Sequence, residues 1–333
     1  MIPVAFELFP LHGQRIFVAG HRGMVGSALC RRLAAEPVEI LTAPRERLDL
    51  TSQAAVHAWI RDNAPDIVIL AAARVGGILA NASRPVAFLE DNLLIELNVM
   101  RAAFEAGVSK LLFLGSSCIY PRDAAQPIRE NALLSGALEP TNQWYALAKI
   151  AGLKLCEAFR QEYAADFISA MPTNLYGPGD NFDPQTSHVL AALLRRFHEA
   201  RRDGAASVTI WGTGTPRREF MHVDDLADAC VHLLRHYSGS EPVNVGWGKD
   251  LDILGLARTI ARIVGYDGRI LTDPQKPDGT PRKLLDTSRL EAMGWRPGIP
   301  LEEGIASTYR WYLDNEASLS LPAQQRQREF AGA

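Results

Sequence analysis

An apolar run, Arg15-Ile-Phe-Val-Ala19, ends in Gly20-His-Arg-Gly23-Met-Val-Gly26, and the chain then turns amphipathic through Ala35. Glycines at that spacing permit a tight turn between a strand and a helix and let the backbone approach a ligand that a Cβ would exclude. Such a start is a βα unit, and βα units repeat as a parallel sheet covered by helices. The first half keeps the pattern. Val38 to Leu41, Ile67-Val-Ile-Leu-Ala71, Leu111-Leu-Phe-Leu-Gly115 and Phe167 to Met171 have strand length and composition. Met24 to Ala35, Pro85 to Ala106 and Asn142 to Tyr163 read as helices, with Pro85 suited to a first turn. The expected fold class is α/β: a Rossmann-type doubly wound parallel sheet with a smaller, loop-rich C-terminal substrate domain.

The change comes near Asn174. Gly177-Pro-Gly179, Gly212-Thr-Gly-Thr-Pro216 and Lys276-Pro-Asp-Gly-Thr-Pro281 break the later helices and strands. Residues 14–173 are expected to form the dinucleotide domain and 174–314 mainly the substrate domain. Residues 222–248 return to the first domain, and 1–13 and 315–333 are terminal extensions. With 333 residues, 47% of them hydrophobic, the chain can bury a large core. A net charge of −3 gives no basic field for nucleic acid or an anionic membrane. No apolar run is long enough to span a bilayer, and the opening residues carry Pro3, Glu7 and Pro10 without the basic start of a signal peptide. Cys30, Cys118, Cys156 and Cys230 are widely spaced with no C-x-x-C pair, which fits a reducing cytoplasm better than a disulfide framework or zinc cluster.

The glycine loop sits where a dinucleotide pyrophosphate meets a helix start. Alone, it is equally a structural turn. An acidic residue after the second strand selects NAD through the ribose, whereas arginine suits the 2′-phosphate of NADP. Here that stretch is Leu41-Thr-Ala-Pro-Arg45, and Arg22 lies inside the loop, so NADP is favoured; the alternative is that both arginines are solvated surface charges. Asp49 falls beyond the ribose position, nearer the adenine. Tyr145 and Lys149, four apart on a helix, share one face. A tyrosine can hand a proton to a carbonyl oxygen if a cation lowers its pKa, and Ser116, at a strand end, can donate to the same oxygen.

Cys118 is what hydride transfer alone does not require. Most cysteines are small core residues, and Cys30, Cys156 and Cys230 read that way. Cys118 instead follows Ser116 in a strand-end loop, where a thiol can act as acid or base on carbons beside a ketone. Inversion needs a proton donor on the opposite face, for which His188 is the candidate; a histidine at a helix start is more often structural.

The runs Ala19-Gly-His-Arg-Gly-Met-Val-Gly-Ser27, Leu114-Gly-Ser-Ser-Cys-Ile-Tyr-Pro121, Met171-Pro-Thr-Asn-Leu-Tyr-Gly-Pro178 and Lys276-Pro-Asp-Gly-Thr-Pro-Arg-Lys283 resemble the GDP-L-fucose synthases, extended short-chain dehydrogenase/reductases, over about residues 14 to 314. The resemblance implies 3,5-epimerisation of GDP-4-keto-6-deoxy-D-mannose followed by NADPH-dependent reduction at C4. It implies Ser116, Tyr145 and Lys149 for reduction, with Cys118 as base and His188 as acid. For the cofactor it implies Gly20, His21, Arg22, Gly23, Met24, Val25, Gly26 and Ser27, then Arg45, Asp49 and Leu50. Leu114, Gly115, Lys149, Pro172, Asn174, Leu175 and His188 complete that set. Arg196, Trp211, Arg218, Asp278 and Lys283 match positions associated with the GDP-sugar, although Arg196 also reads as the solvated face of an ordinary helix. A homodimer paired through two long helices is a further implication, and the same helix faces could instead pack on the sheet. Two other readings stand beside this one. A nucleotide-sugar 4-epimerase shares Ser, Tyr and Lys but keeps bound NAD and has no need of Cys118. A non-catalytic NADP-sensing module has no need of Tyr145.

Overall fold

The computed structural model describes residues 7–184, 186–276 and 278–319. Its first half alternates strand and helix: β1 (Arg15–Ala19), α1 (Met24–Leu33), β2 (Glu39–Leu41), α2 (Gln53–Asn63), β3 (Ile67–Leu70), α3 (Ile78–Ser83), α4 (Pro85–Glu105), β4 (Lys110–Leu114), α5 (Gln143–Tyr163) and β5 (Phe167–Pro172). The strands lie in the order β2-β1-β3-β4-β5, all parallel, with Ile16 opposite Ile67 and Leu111 opposite Phe167. β3, β4 and β5 are buried along their whole length, as strands covered on both faces must be. Because β2 and β3 flank β1 on opposite sides, the sheet reverses direction at β1. The crevice at its carboxyl end is where ligands bind in such sheets.

The second half supplies β6 (Asn174–Tyr176), α6 (Val189–Arg202), β7 (Ser207–Trp211), β8 (Arg217–His222), α7 (Val223–His236), β9 (Val243–Val245), β10 (Asp250–Asp252), α8 (Ile253–Val264), β11 (Arg269–Asp273), β12 (Arg282–Lys283), α9 (Ser288–Ala292) and α10 (Leu301–Leu319). β9 joins the large sheet beside β5, and α7 packs with α1 over one sheet face. α2, α4 and α5 cover the other face. A separate core, including Phe182, Leu194, Phe197, Ile260 and Tyr309, holds α6, α8 and α10 together. β8 is the centre of the smaller sheet, pairing parallel to β6 and β12 and antiparallel to β10.

Two features depart from the sequence reading. α2 was assigned to no element, yet it buries Val56 and Ile60 against the sheet. The expected extensions are partly folded in. Leu11 is fully buried beside β1, the Leu8 and Phe9 amides donate to the Arg235 carbonyl at 2.7 and 3.1 Å, and α10 continues to Leu319. Residues 1–6 and 320–333 of those extensions lie outside the described residues. Among the described residues no helix is long and apolar enough to cross a membrane.

Candidate active site

The loop after β1 shows why its glycines differ in kind. Gly20 has φ +91°, and a Cβ there would fall 2.8 Å from Ala72 Cα. A Cβ on Gly26 would lie 2.1 Å from the Gly20 carbonyl oxygen, so helix and loop can close only on a glycine. Gly23 meets no such obstacle, its nearest neighbour being that same oxygen at 3.4 Å. It is the N-cap of α1, and no side chain caps the helix, which leaves its first amides facing the crevice as an anion site requires. Met24 and Val25 anchor the first turn on the core, and Ser27 Oγ donates to the Met24 carbonyl at 3.0 Å. Burial first, then the Arg22 charge, lowers the pKa of His21.

At the end of β2, Arg45 is exposed, and Arg22 Nη1 pairs with Glu46 Oε2 at 3.0 Å. Arg22 is thus paired with the carboxylate of the residue next to Arg45, a partner that the expectation of a bare phosphate clamp did not include. Asp49 accepts from the Thr51 amide at 3.0 Å and its hydroxyl at 2.8 Å, bonds that hold its carboxyl below the usual range. The Leu50 carbonyl accepts from Asn98 Nδ2 at 3.1 Å.

β4 delivers the next group. Leu114 is buried, and a Cβ on Gly115 would overlap Met171 Sδ at 2.4 Å, so the strand end lies tightly on β5. Ser116 then caps the short turn Ser117–Ile119, its Oγ accepting from the Cys118 amide at 3.3 Å. The same hydroxyl favours the ionised form of both the Cys118 thiol and the Tyr145 phenol, against larger opposing effects. Burial pushes the thiol up in pKa, opposed first by the charge of Lys283. Burial, then Cys118 and Glu96, push the phenol well above its ordinary value. Any lowering by Lys149, whose Nζ lies 5.9 Å from the Tyr145 ring centroid, is outweighed by these three. The Lys149 ammonium donates to the Leu114 carbonyl at 3.0 Å and lies 3.1 Å from Glu96 Oε1, so its charge is largely answered before it reaches Tyr145.

The substrate side closes over this group. Lys283 on β12 stands beside Arg218 on β8, and both were drawn from distant loops by strand register. A cleft lined by Cys118, Pro121, Arg122, Glu139, Thr280 and Lys283 opens between the domains. Lys283 is held below the usual ammonium range by burial, with Cys118 acting against this. His188 is the N-cap of α6; it keeps an exposed surface, yet protein packed around the ring first and Lys283 second lower its pKa. Its loop is tied to the first domain by the Gly77 amide, which donates to the Thr186 carbonyl at 3.0 Å. Arg218 Nη1 donates to the Arg217 carbonyl at 2.7 Å, leaving its other face toward Glu139 and Asp278.

Other expected residues are placed differently. Both Asp278 oxygens are taken by Thr213, at 2.9 Å from the amide and 2.7 Å from the hydroxyl, so this carboxylate ties its loop to the Gly212–Pro216 turn. Arg196 Nη1 donates to the Thr209 carbonyl at 2.7 Å, two residues before the half-exposed Trp211 on β7. Lys276 Nζ sits 5.7 Å above the Trp211 ring. Pro172 ends β5 opposite Val245, Asn174 Nδ2 donates to the Glu219 carbonyl at 2.8 Å, and Leu175 rests on the core. Glu46, Glu96 and Glu139 were missed. For Glu139 the one available signal was its place in Leu138-Glu-Pro-Thr-Asn142, directly ahead of the helix that carries Tyr145.

The chain is similar in sequence and fold to known proteins. The pattern of the NAD dependent epimerase/dehydratase family matches residues 16–246. A GDP-L-fucose synthase of Sinorhizobium fredii is 55% identical over 93% of this chain and 99% of its own. That of Escherichia coli is 54% identical over 91% of this chain and 98% of its own. The crystal structure of a GDP-L-fucose synthetase from Naegleria fowleri bound to NADP superposes with a TM-score of 0.86 at 26% identity, covering 94% and 98% of the two chains. On these matches the chain belongs to the NAD dependent epimerase/dehydratase family, and within it to the GDP-L-fucose synthases.

Proposed function

We propose that this chain converts GDP-4-keto-6-deoxy-D-mannose to GDP-L-fucose by inverting C3 and C5 and then reducing C4. The observation that carries the reading is that a thiol, Cys118, stands in the same buried group as Ser116 and Tyr145, the hydroxyls that would serve a carbonyl. A plain reductase has no use for that thiol. While C4 is a ketone, Cys118 removes the proton from a neighbouring carbon, and Ser116 and Tyr145 steady the oxygen on which charge develops. His188, across the cleft, returns a proton to the other face. After inversion Tyr145 gives its proton to the C4 oxygen. Arg218 and Lys283 suit the diphosphate, and Arg196 and Trp211 the nucleoside end.

The cofactor that fits is NADP, in line with the NADP-bound relative of the same fold. The uncapped start of α1, the bare Gly23 and the arginines Arg22 and Arg45 suit its phosphates. When bound, it supplies the hydride for C4. Lys149, Leu114, Gly115, Pro172, Asn174 and Leu175 surround the place where its nicotinamide end would lie. All four cysteines are unpaired, and a working thiol at position 118 suits a reducing compartment, so we place the reaction in the cytoplasm. The active unit is a homodimer formed through α4 and α5.

The test is NADPH oxidation with GDP-4-keto-6-deoxy-D-mannose in deuterated water, followed by mass and stereochemical analysis. Deuterium at C3 and C5 of a fucose product is expected. The Cys118→Ser variant should lose that label, by about 10²-fold or more in rate, while still binding NADPH. Unlabelled, uninverted product from the unaltered chain would leave a simple 4-ketoreductase. Tightly bound NAD with no net oxidation would favour a 4-epimerase.

A further inference from the structure

In α4, Glu96 lies in the apolar run Leu93-Leu-Ile-Glu-Leu97, yet it points inward, its side chain 2% exposed. Its Oε1 is 3.1 Å from the Lys149 ammonium, which is equally buried. No other hydrogen-bond partner reaches either carboxylate oxygen among the described residues. The helix opposite is cut to receive it. A Cβ on Gly152 of α5 would come within 2.5 Å of Glu96 Oε2 and 2.6 Å of Phe113 Cζ. Lys149 is thus held from three sides, by Glu96, by the Leu114 carbonyl at 3.0 Å and by the Phe113 ring, whose centroid is 4.6 Å away.

We propose that Glu96 is a positioning residue for the reductive step: it is the buried counter-ion that fixes the Lys149 ammonium between α4 and β4, facing Tyr145. A lone carboxylate in a dry interior is costly, and so is a lone ammonium. Together they form a neutral unit whose geometry the Gly152 notch sets. The charged and titratable groups facing this unit are Tyr145 and Cys156 on α5 and Cys118 beyond β4. Glu96 raises the pKa of Tyr145, so it also helps keep the phenol protonated for donation.

The inference rests on the reductive role proposed above for Tyr145, and its test separates the two. In Glu96→Gln the carboxylate is gone. The Lys149 cation, no longer answered by a carboxylate, then stabilises the phenolate more strongly, so the alkaline limb of kcat for NADPH-dependent reduction moves to lower pH. The expected shift is about one unit, on the order of tenfold in rate above the limb. Glu96→Asp should restore part of it. The phenolate absorbance of Tyr145, taken as the difference from Tyr145→Phe, is titrated in the same variants and needs no substrate. Superimposable pH profiles and phenolate titrations in unaltered and Glu96→Gln protein would overturn the proposal. A loss of kcat at every pH, matched by lost thermal stability and NADPH binding, would also overturn it, leaving Glu96 a packing residue. No turnover by the unaltered chain, with a Glu96-dependent phenolate titration, would instead count against the proposed reaction alone.

Discussion

Lys283 acts on both groups proposed for the inversions. Its charge lowers the pKa of the Cys118 thiol against a larger rise from burial, and it adds to the burial that lowers the His188 imidazole. Near neutral pH the resting pair is therefore a thiol and a neutral imidazole, whereas inversion needs a thiolate and an imidazolium. The reaction proceeds through the small fraction with the opposite protonation, which gives a bell-shaped pH dependence. Replacing Lys283 by methionine removes a positive charge from both, so both pKa values rise and the whole bell moves to higher pH, by about one unit. This is read from deuterium incorporation at saturating substrate across the pH range. An unmoved bell with only a raised KM would make Lys283 a diphosphate contact and nothing more. Of these groups, Ser116, Cys118, Tyr145 and Lys149 were legible in the sequence because local geometry joins them: a strand end and one helix face. That Lys283 sits beside Cys118 follows from the β12–β8 register, which no spacing in the chain encodes. Glu96 was illegible for a different reason, since a glutamate in a helix reads as solvated until its burial is known.

Within the elements, the strand–loop–helix at the start of the chain separates two demands that its glycines meet. Gly26 answers to packing and Gly23 to the ligand. Gly26→Ala places a methyl against the backbone of Gly20 and His21, and should cost roughly 1–3 kcal/mol of stability, together with cofactor affinity. Gly23→Ala makes only an ordinary contact in the protein alone, 3.4 Å from the Gly20 carbonyl oxygen, so thermal unfolding should stay within about 0.5 kcal/mol of the unaltered chain. Its NADPH dissociation constant should nevertheless rise about tenfold or more, because the added carbon stands where the pyrophosphate approaches. Calorimetric melting and fluorescence titration of NADPH distinguish them. Equal affinity in Gly23→Ala would move the pyrophosphate away from this helix start. The loop was readable because strand, glycines and helix are contiguous, and the buried strands were readable because covered strands are uniformly apolar. α2 was not, since Gln53-Ala-Ala-Val-His-Ala-Trp-Ile60 buries a narrow stripe whose alanines blur the helical period. β6, β10 and β12 were not either, being two or three residues long and defined by their partners.

Over the whole molecule, the surface of α4 and α5 is what a single chain leaves unfinished. The two helices pack on each other and on the sheet through Val99, Met100, Ile150 and Leu153. That satisfies the alternative in which their apolar residues are used internally, but only in part. Leu93 and Leu97, one turn apart on α4, remain 36% and 52% exposed, and Trp144 and Leu147 on α5 remain 37% and 41% exposed. Each helix has 21 residues, so each is about 30 Å long, and side by side the pair presents a face of roughly 600 Å². Two such faces would bury about 1,200 Å², the lower bound for a stable association, and in the proposed homodimer a two-fold axis would bring the same stripe of both chains together as four helices. The face also lies directly behind the reduction site, since Glu96 and Lys149 project inward from these helices. In the proposed homodimer Leu97→Glu would put like charges into the apolar stripe of both chains, and should leave only monomer in sedimentation equilibrium at micromolar concentration. Leu313→Glu, at a leucine on α10 that is 43% exposed, should leave the proposed dimer intact. If the monomer also loses kcat, the pairing supports the Lys149–Glu96 geometry from behind. A chain already monomeric before substitution would contradict the proposed homodimer and leave this stripe for another occupant.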